Sequence, residues 1–335
     1  MKAIILKGYG TVDNFEMADL PLPEIQDGTV RIKIKAVSFN PVDYQVRKGL
    51  PESRSVTSNV LGRDLSGIVD EVAADVKDFK KGDEVYCYVC HLASSGTYTE
   101  YITVPAAIVA RKPASLSHEE AASIPVAGIT AMIALIKTKT EKAKSIFIAG
   151  GAGGVGSFAI MFAKQSGIKD IVTTAGNDKS LQYLLQNFQL RKNQVINYKD
   201  HDFIEKAILK NNGFFDIALD LVGGKMLSVC CELIGIDGNL ASATEAPNRD
   251  DFETLFRKNA SFHSIGANAY SLSDNKEQWK AYKYILNHIA KLFDSNAIEI
   301  KPPITVVGAL SLDTVKKAHE LLENNSVQGK LIMTC

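Results

Sequence analysis

The chain has 335 residues, of which 46% are hydrophobic and 23% charged, and its 38 Lys+Arg balance 38 Asp+Glu. That length suggests about two domains, and that composition excludes wholesale disorder, a collagen repeat and a coiled coil. Zero net charge excludes the broad basic surface that draws in nucleic acid, and no run of about 18 uncharged apolar residues is present to cross a membrane.

The apolar start Ala3-Ile4-Ile5-Leu6 is interrupted by Lys7, too early for a signal-peptide core. Residues 1 to about 118 then read as short strands joined by Gly, Pro and Asp turns. Thr29–Val37 alternates apolar and charged residues at period two, the pattern of a half-buried strand. Ser66–Val72, Glu84–Val89 after the tight turn Lys81-Gly82-Asp83, and Thr97–Val104 are further strands, and their density predicts a β-barrel-like domain. Segments 44–60, 90–97 and 243–257 read as loops. Ser117 predicts a helix start at His118, with Glu120 completing a capping box.

From there the periodicity changes. A strand at Ser145–Ala149 is followed by a helix at Ser157–Ser166, a strand at Asp170–Thr174, a helix at Ser180–Phe188 and a strand at Val195–Tyr198. A helix over 201–211, a strand at Phe215–Asp220, an apolar helix at Met226–Leu233 and strands at Asn239–Ser242 and Phe262–Gly266 continue the rhythm. This alternation predicts an α/β fold with a doubly wound parallel sheet. An amphipathic helix over Lys276–Phe293 comes next, then a strand, a helix and a strand at Ile304–Val307, Leu312–Glu323 and Gly329–Met333. That last stretch is too short to fold alone and is expected to return to the first domain, giving 1–120 with 298–335 as one domain and 121–297 as the other.

The strongest chemical signal follows the Ser145–Ala149 strand. Gly151, Gly153 and Gly156 satisfy G-x-G-x-x-G, and Gly154 and Val155 complete the loop. Between a strand and a helix, such a loop brings backbone N–H groups and a helix N-terminus up to a pyrophosphate. The second strand ends Thr173-Thr174-Ala175-Gly176-Asn177, without the Asp or Glu that holds the ribose hydroxyls of NAD, and Lys179 and Ser180 follow where a 2′-phosphate would lie. That favours NADPH, whereas Asp178, one turn away, keeps NAD open.

Cys87-Tyr88-Val89-Cys90-His91 fits both a haem-attachment signature and half a zinc site. In a strand, residues three apart face opposite sides, so the pair is read as two small packing side chains. Cys230 and Cys231 fall in an apolar helix pattern, and Cys335 is terminal. An odd count of five cysteines in a chain this long is no disulfide scaffold and points to a reducing compartment, the cytoplasm.

Taken together, Ser38–Asp43, Leu61–Val69, Gly82–Val85, Gly96–Tyr101, Ile129–Ala131, the glycine loop, Val195–Tyr198 and Gly329-Lys330 resemble the medium-chain dehydrogenase/reductase superfamily, in its zinc-less quinone oxidoreductase branch. The resemblance implies a GroES-like catalytic domain, a Rossmann domain and a homodimer joined through the Rossmann sheet. It places the zinc ligands of the alcohol-oxidising relatives at Asn40, Arg63 and about Val126, none of them a good ligand. Asn40 either bonds the nicotinamide or the substrate carbonyl, or only forms the turn before Pro41. Tyr44 either orients a carbonyl and donates a proton or is a core aromatic. Arg63-Asp64 is read as an ion pair, in the cleft or at the surface, and Asp64 joins Asn40 and Tyr44 as a catalytic candidate. Thr130, Thr174, Asn177, Lys179, Tyr198, Ser242 and Lys330 extend the cofactor contacts. The expected activity is NADPH-dependent, metal-free reduction of a quinone or enone. The alternatives are a zinc alcohol dehydrogenase and an inactive NADPH-binding relative with a regulatory or structural role.

Overall fold

Strand Thr29–Phe39 organises the first of two units. Val30, Ile32, Ile34 and Ala36 are buried at period two, while Arg31, Lys33 and Lys35 take the other face, as the alternation requires. From Ala36 onward every residue is buried, so the strand's end runs into the interior. It pairs antiparallel with Asp64–Val72, Tyr101–Pro105 and Lys330–Thr334. The main sheet runs Ile304–Ala309, Lys330–Thr334, Thr29–Phe39, Asp64–Val72, Glu84–Tyr88, Ala110–Arg111. This computed structural model describes residues 1–298 and 301–335, so Glu299 and Ile300, within the returning segment, lie outside the described residues.

The chain divides into Met1–Ile129 with Asn268–Cys335, and Thr130–Ala267. The first unit therefore takes back more than the residues 298–335 expected of it. Helix Lys276–Asp294, which the sequence pattern assigns to the second domain, packs on the first. The Tyr86 hydroxyl donates to the Leu286 carbonyl at 2.6 Å, and the Tyr88 and Tyr282 rings meet edge to face at 5.3 Å.

The second unit holds a six-stranded, all-parallel sheet in the order Val195–Asn197, Asp170–Ala175, Ser145–Ala149, Phe215–Asp220, Ile234–Ser242, Ser261–Ser264. This is the doubly wound arrangement, with the strand order reversing beside Ser145–Ala149. Phe147, Val172, Ile196, Phe215, Leu227 and Leu240 belong to a core on the sheet. Cys230 and Cys231 pack in that core, from helix Lys225–Leu233.

Two helices escape the periodicity argument: Pro41–Arg47 runs into the segment 44–60 read as a loop, and Arg249–Arg257 lies within 243–257. The helix expected to open at Thr130 starts earlier, over Pro125–Lys137. Pro41–Arg47 is too short to show a stripe and opens on a proline at its first turn, where proline is tolerated. Arg249–Arg257 starts at an Asn248 cap but carries five charged residues among nine, so its composition resembles a loop. Thr97–Glu100, conversely, is not strand, and the edge begins at Tyr101. Among the described residues no helix is long and apolar enough to cross a membrane.

Candidate active site

In the second unit, the loop after Ser145–Ala149 is built on four glycines with different jobs. Gly150 has φ +85°, the left-handed region, and its N–H donates to Thr174 Oγ1 at 3.1 Å. A Cβ on Gly151 would lie 2.1 Å from Thr173 Oγ1, and one on Gly156 2.2 Å from the Gly150 carbonyl, so these two permit close packing of loop, helix and sheet. Gly153 differs. It sits at the N-cap of helix Gly154–Gln165 in extended geometry, and its Cβ would have one neighbour within 4 Å, the Gly150 oxygen at 3.4 Å. Space is open over the helix N-terminus, where uncompensated N–H groups favour an anion. Gly154 and Val155 form the first turn there.

The end of strand Asp170–Ala175 carries no acid. Asn177 caps helix Asp178–Phe188, its Oδ1 accepting the Ser180 N–H at 2.9 Å. Ser180 accepts from the Gly176 and Asn177 N–H groups and donates to the Asn177 carbonyl, so its hydroxyl is committed to its own helix and is not left to hold a phosphate. Asp178 is in the first turn of that helix, and Lys179 beside it is exposed. The Tyr198 ring covers Gly176, where a Cβ would come within 2.4 Å of the Tyr198 hydroxyl. At the carboxyl end of Phe215–Asp220, Asp220 Oδ2 accepts from Ser242 Oγ (2.8 Å) and Thr244 Oγ1 (2.7 Å), and Oδ1 accepts from the Val222 and Gly223 N–H groups. The side chains of Thr174 and Ser242 thus shape the loops at this edge of the sheet. Thr130 is buried in the helix Pro125–Lys137.

In the first unit, strand register assembles a buried polar constellation. Ser38 faces Asp64 on one side and Ile332 on the other, which brings Asn40, Asp64 and Lys330 together. Asn40 Nδ2 donates to Asp64 Oδ2 at 2.9 Å, and Asn40 Oδ1 accepts from Lys330 Nζ. Lys330 also donates to the Phe39 carbonyl at 3.2 Å and lies 3.4 Å from Asp64 Oδ2. Asp64 Oδ1 accepts the Val126 N–H at 2.9 Å. Asn40 starts the helix Pro41–Arg47 as its N-cap, its N–H donating to Asp43 Oδ2 at 2.8 Å. Its side-chain amide is therefore held on both ends by Asp64 and Lys330, while its backbone forms the turn before Pro41.

The ion pair read from adjacent residues is corrected here. Asp64 pairs with Lys330, 266 positions away, and not with Arg63. Burial pushes Asp64 up and Lys330 down toward their neutral forms, and their mutual attraction with the Asn40 and Val126 hydrogen bonds opposes it. Arg63 instead donates to the Tyr88 hydroxyl at 3.3 Å and lines a pocket with Asp43, Ser58, Cys90 and His91. Burial works against its charge, but Tyr88, Asp43 and Cys90 more than offset it, and its pKa is raised. The sequence reading places Arg63 in an ion pair and not among the site residues. The signal was a cation at a position where relatives carry a metal ligand. Tyr44 is half-buried, and its hydroxyl makes no hydrogen bond among the described residues.

Burial raises the Asp43 carboxyl from 3.8 to about 6, with Arg63 opposing. The folded protein therefore keeps a proton there that the unfolded chain has lost. Stability falls as pH rises from about 4 through 6, by about 3 kcal/mol if the whole shift is realised. Asp43→Asn retains an acceptor for the Asn40 N–H and removes that titration. Urea unfolding at pH 4 and 7.5 is expected to show a smaller fall with pH for the variant than for wild type. An identical fall would assign the pH dependence elsewhere.

Cys87 and Cys90 part for a different reason from the one expected. The strand ends at Tyr88, and Cys90 lies in the following turn at φ +39°. Cys87 is fully buried and Cys90 partly so, with burial pushing the Cys90 thiol up to about 11, far from a ready metal ligand.

Residues 26–114 match the alcohol dehydrogenase GroES-like domain and residues 190–333 the zinc-binding dehydrogenase family. The chain is 29% identical to the chloroplastic NADPH-dependent alkenal/one oxidoreductase of Arabidopsis thaliana, over 99% of this chain and 79% of that protein. It is 31% identical to a zinc-type alcohol dehydrogenase-like protein of Staphylococcus aureus, over 93% and 92%. The quinone oxidoreductase structure from Coxiella burnetii aligns with TM-score 0.80 at 29% identity, covering 100% of this chain and 99% of that one. Zinc does not fit the residues present. Asn40 and Val126 offer no ligand atom of the needed kind, Arg63 and Lys330 are cations, and both Asp64 oxygens already accept hydrogen bonds.

Proposed function

The chain belongs to the medium-chain dehydrogenase/reductase superfamily, in its quinone-oxidoreductase-like branch, and from that membership we propose that it reduces quinones or α,β-unsaturated carbonyls with NADPH. The observation that carries the reading is the glycine loop. Gly153, whose Cβ direction is open, presents a helix N-terminus to an anion, and the strand Asp170–Ala175 ends without an acid, with Asn177 and Lys179 following at the start of the next helix.

In this reading the N–H groups at Gly154, Val155 and Gly156 hold the pyrophosphate. Asn177, Lys179 and Tyr198 border the 2′-phosphate, and Lys179 supplies its charge. Thr130 and the loop fixed by Ser242 and Asp220 support the rest of the cofactor. When bound, NADPH supplies a hydride. Asn40, locked by Lys330 and Asp64, presents a fixed polar surface, and Tyr44 has a hydroxyl not spent on the protein. A conjugated acceptor is already electron-poor, so it needs positioning and hydrogen bonds to its oxygen more than a Lewis acid, and its proton comes from water.

We further read the active form as a homodimer in the cytoplasm. Five unpaired cysteines favour a reducing compartment. Strand Ser261–Ser264 ends the parallel sheet, with Phe256, 86% exposed, and Phe252 beside it in an apolar groove, and a second copy would cover both.

The test is turnover of a panel of quinones and enones with each nicotinamide, before and after exhaustive chelation. The expected result is tighter binding of NADPH than of NADH by fluorescence titration, and activity that survives chelation. Activity lost on stripping and regained with zinc would overturn the reading in favour of a zinc dehydrogenase. NADPH binding without turnover across the panel would identify an inactive relative.

A further inference from the structure

Arg63 lines the pocket with its charge supported by Tyr88, Asp43 and Cys90 but with most of its hydrogen-bond donors unused among the described residues. A guanidinium carries five N–H donors, and among the described residues this one makes a single hydrogen bond, a long one to the Tyr88 hydroxyl. It forms no ion pair there. Asp64, next to it in sequence, is taken by Lys330, Asn40 and Val126, and Asp43 gives Oδ2 to the Asn40 N–H. The remaining pocket wall is uncharged but for Asp43 and His91, whose Nε2 lies 2.9 Å from the Ser271 carbonyl. Its apolar side chains are Val46, Val56, Val60, Leu61 and Ala93. A partly buried cation with donors to spare is costly unless an oxygen completes it.

The backbone on either side of Arg63 is fixed. Gly62 has φ +94°, and a Cβ there would come within 2.3 Å of Thr97 Oγ1. The Arg63 carbonyl accepts the Val89 N–H at 2.9 Å, and the next residue enters the sheet opposite Tyr88. Pre-placed donors of this kind stabilise charge as it develops, without reorganising.

We propose that Arg63 is a further catalytic residue, its guanidinium holding the carbonyl oxygen of a conjugated acceptor seated in this pocket. The proposal rests on the reductase reading. The acceptor's β-carbon gains a hydride, with its electron pair, from NADPH. The C=C pair moves to form the Cα–C double bond of an enolate, and the carbonyl π pair moves onto the oxygen that Arg63 holds. A proton from water then adds at the α-carbon, leaving the saturated carbonyl, hydroxide and NADP⁺.

Arg63→Met and Arg63→Ala test it with two readouts. The first is steady-state reduction of an enone. Loss of oxyanion donors is expected to lower kcat/KM by about 100-fold or more, with the NADPH dissociation constant within about twofold of wild type. Added methylguanidinium is expected to restore part of the activity of Arg63→Ala. The second readout needs no turnover: binding of 4-nitrophenolate, an oxyanion on an apolar ring, followed by its absorbance. Wild type is expected to bind it and Arg63→Met to lose it, at an unchanged thermal midpoint. An Arg63→Met enzyme within threefold of wild type, or one that loses NADPH in parallel, would overturn the proposal. If wild type turns over no acceptor, the reductase reading fails by itself. The phenolate titration then decides the pocket, and binding retained in Arg63→Met overturns it.

Discussion

Gly153→Val abolishes NADPH binding and leaves the fold standing. The two effects separate because Gly153 is in extended backbone geometry, φ −79° and ψ 172°, which any residue adopts, and its Cβ direction is open. A valine is therefore tolerated by the protein and excluded only by the ligand, since its methyl groups stand over the helix N-terminus. Displacing the pyrophosphate from two charged hydrogen bonds, at about 1.5–3 kcal/mol each, weakens binding by about 100-fold or more. Fluorescence titration reads the affinity, and thermal unfolding shows the midpoint unchanged. Gly151→Ala is the contrasting control, because its methyl collides with Thr173 and costs stability first. Unchanged affinity in Gly153→Val would move the phosphate elsewhere.

Lys330→Met carries the largest expected loss of stability. Methionine fills the space but removes the cation paired with Asp64, which is fully buried. Breaking a buried pair from one side typically costs about 3–5 kcal/mol, because the remaining charge is stranded. Asp64 then takes up a proton, so the deficit shrinks as pH falls. Asp64→Asn in the same chain removes the stranded charge and recovers much of the loss. Urea unfolding of the two single variants and the double variant measures the coupling. Additive single effects would show that the pair does not act as a unit.

The parallel sheet was legible because its strands are short apolar runs between helical stripes, as at Ser145–Ala149 and Phe215–Asp220, where the expected and observed ends coincide. The capping box at Ser117 and Glu120 was legible for a local reason, since a three-residue spacing is all it needs. The polar constellation was not. That Asp64 pairs with Lys330 and not with the preceding Arg63 depends on the register of three strands, which brings residues 266 positions apart together. Ser180 was misjudged for a related reason. A serine three residues past Asn177 looks free to meet a ligand, but the helix start consumes its hydroxyl. The fate of helix Lys276–Asp294 was likewise hidden, because an apolar stripe says that a helix packs and not on what.

The place of the final strand has a consequence for how the protein is made. Lys330–Thr334 lies between Ile304–Ala309 and Thr29–Phe39, and Lys330 bonds a carbonyl 291 positions earlier. At about 5–20 residues per second, a ribosome delivers that partner roughly 15–60 s after Phe39. The continuous stretch Thr130–Ala267 emerges whole in the meantime. Until Lys330–Thr334 emerges, the interior half of Thr29–Phe39 keeps an unpaired edge, and Asp64 waits without its cation. A chain that stops before Lys330 therefore exposes both a sticky strand and an unneutralised core carboxylate, which marks it for chaperones and proteases.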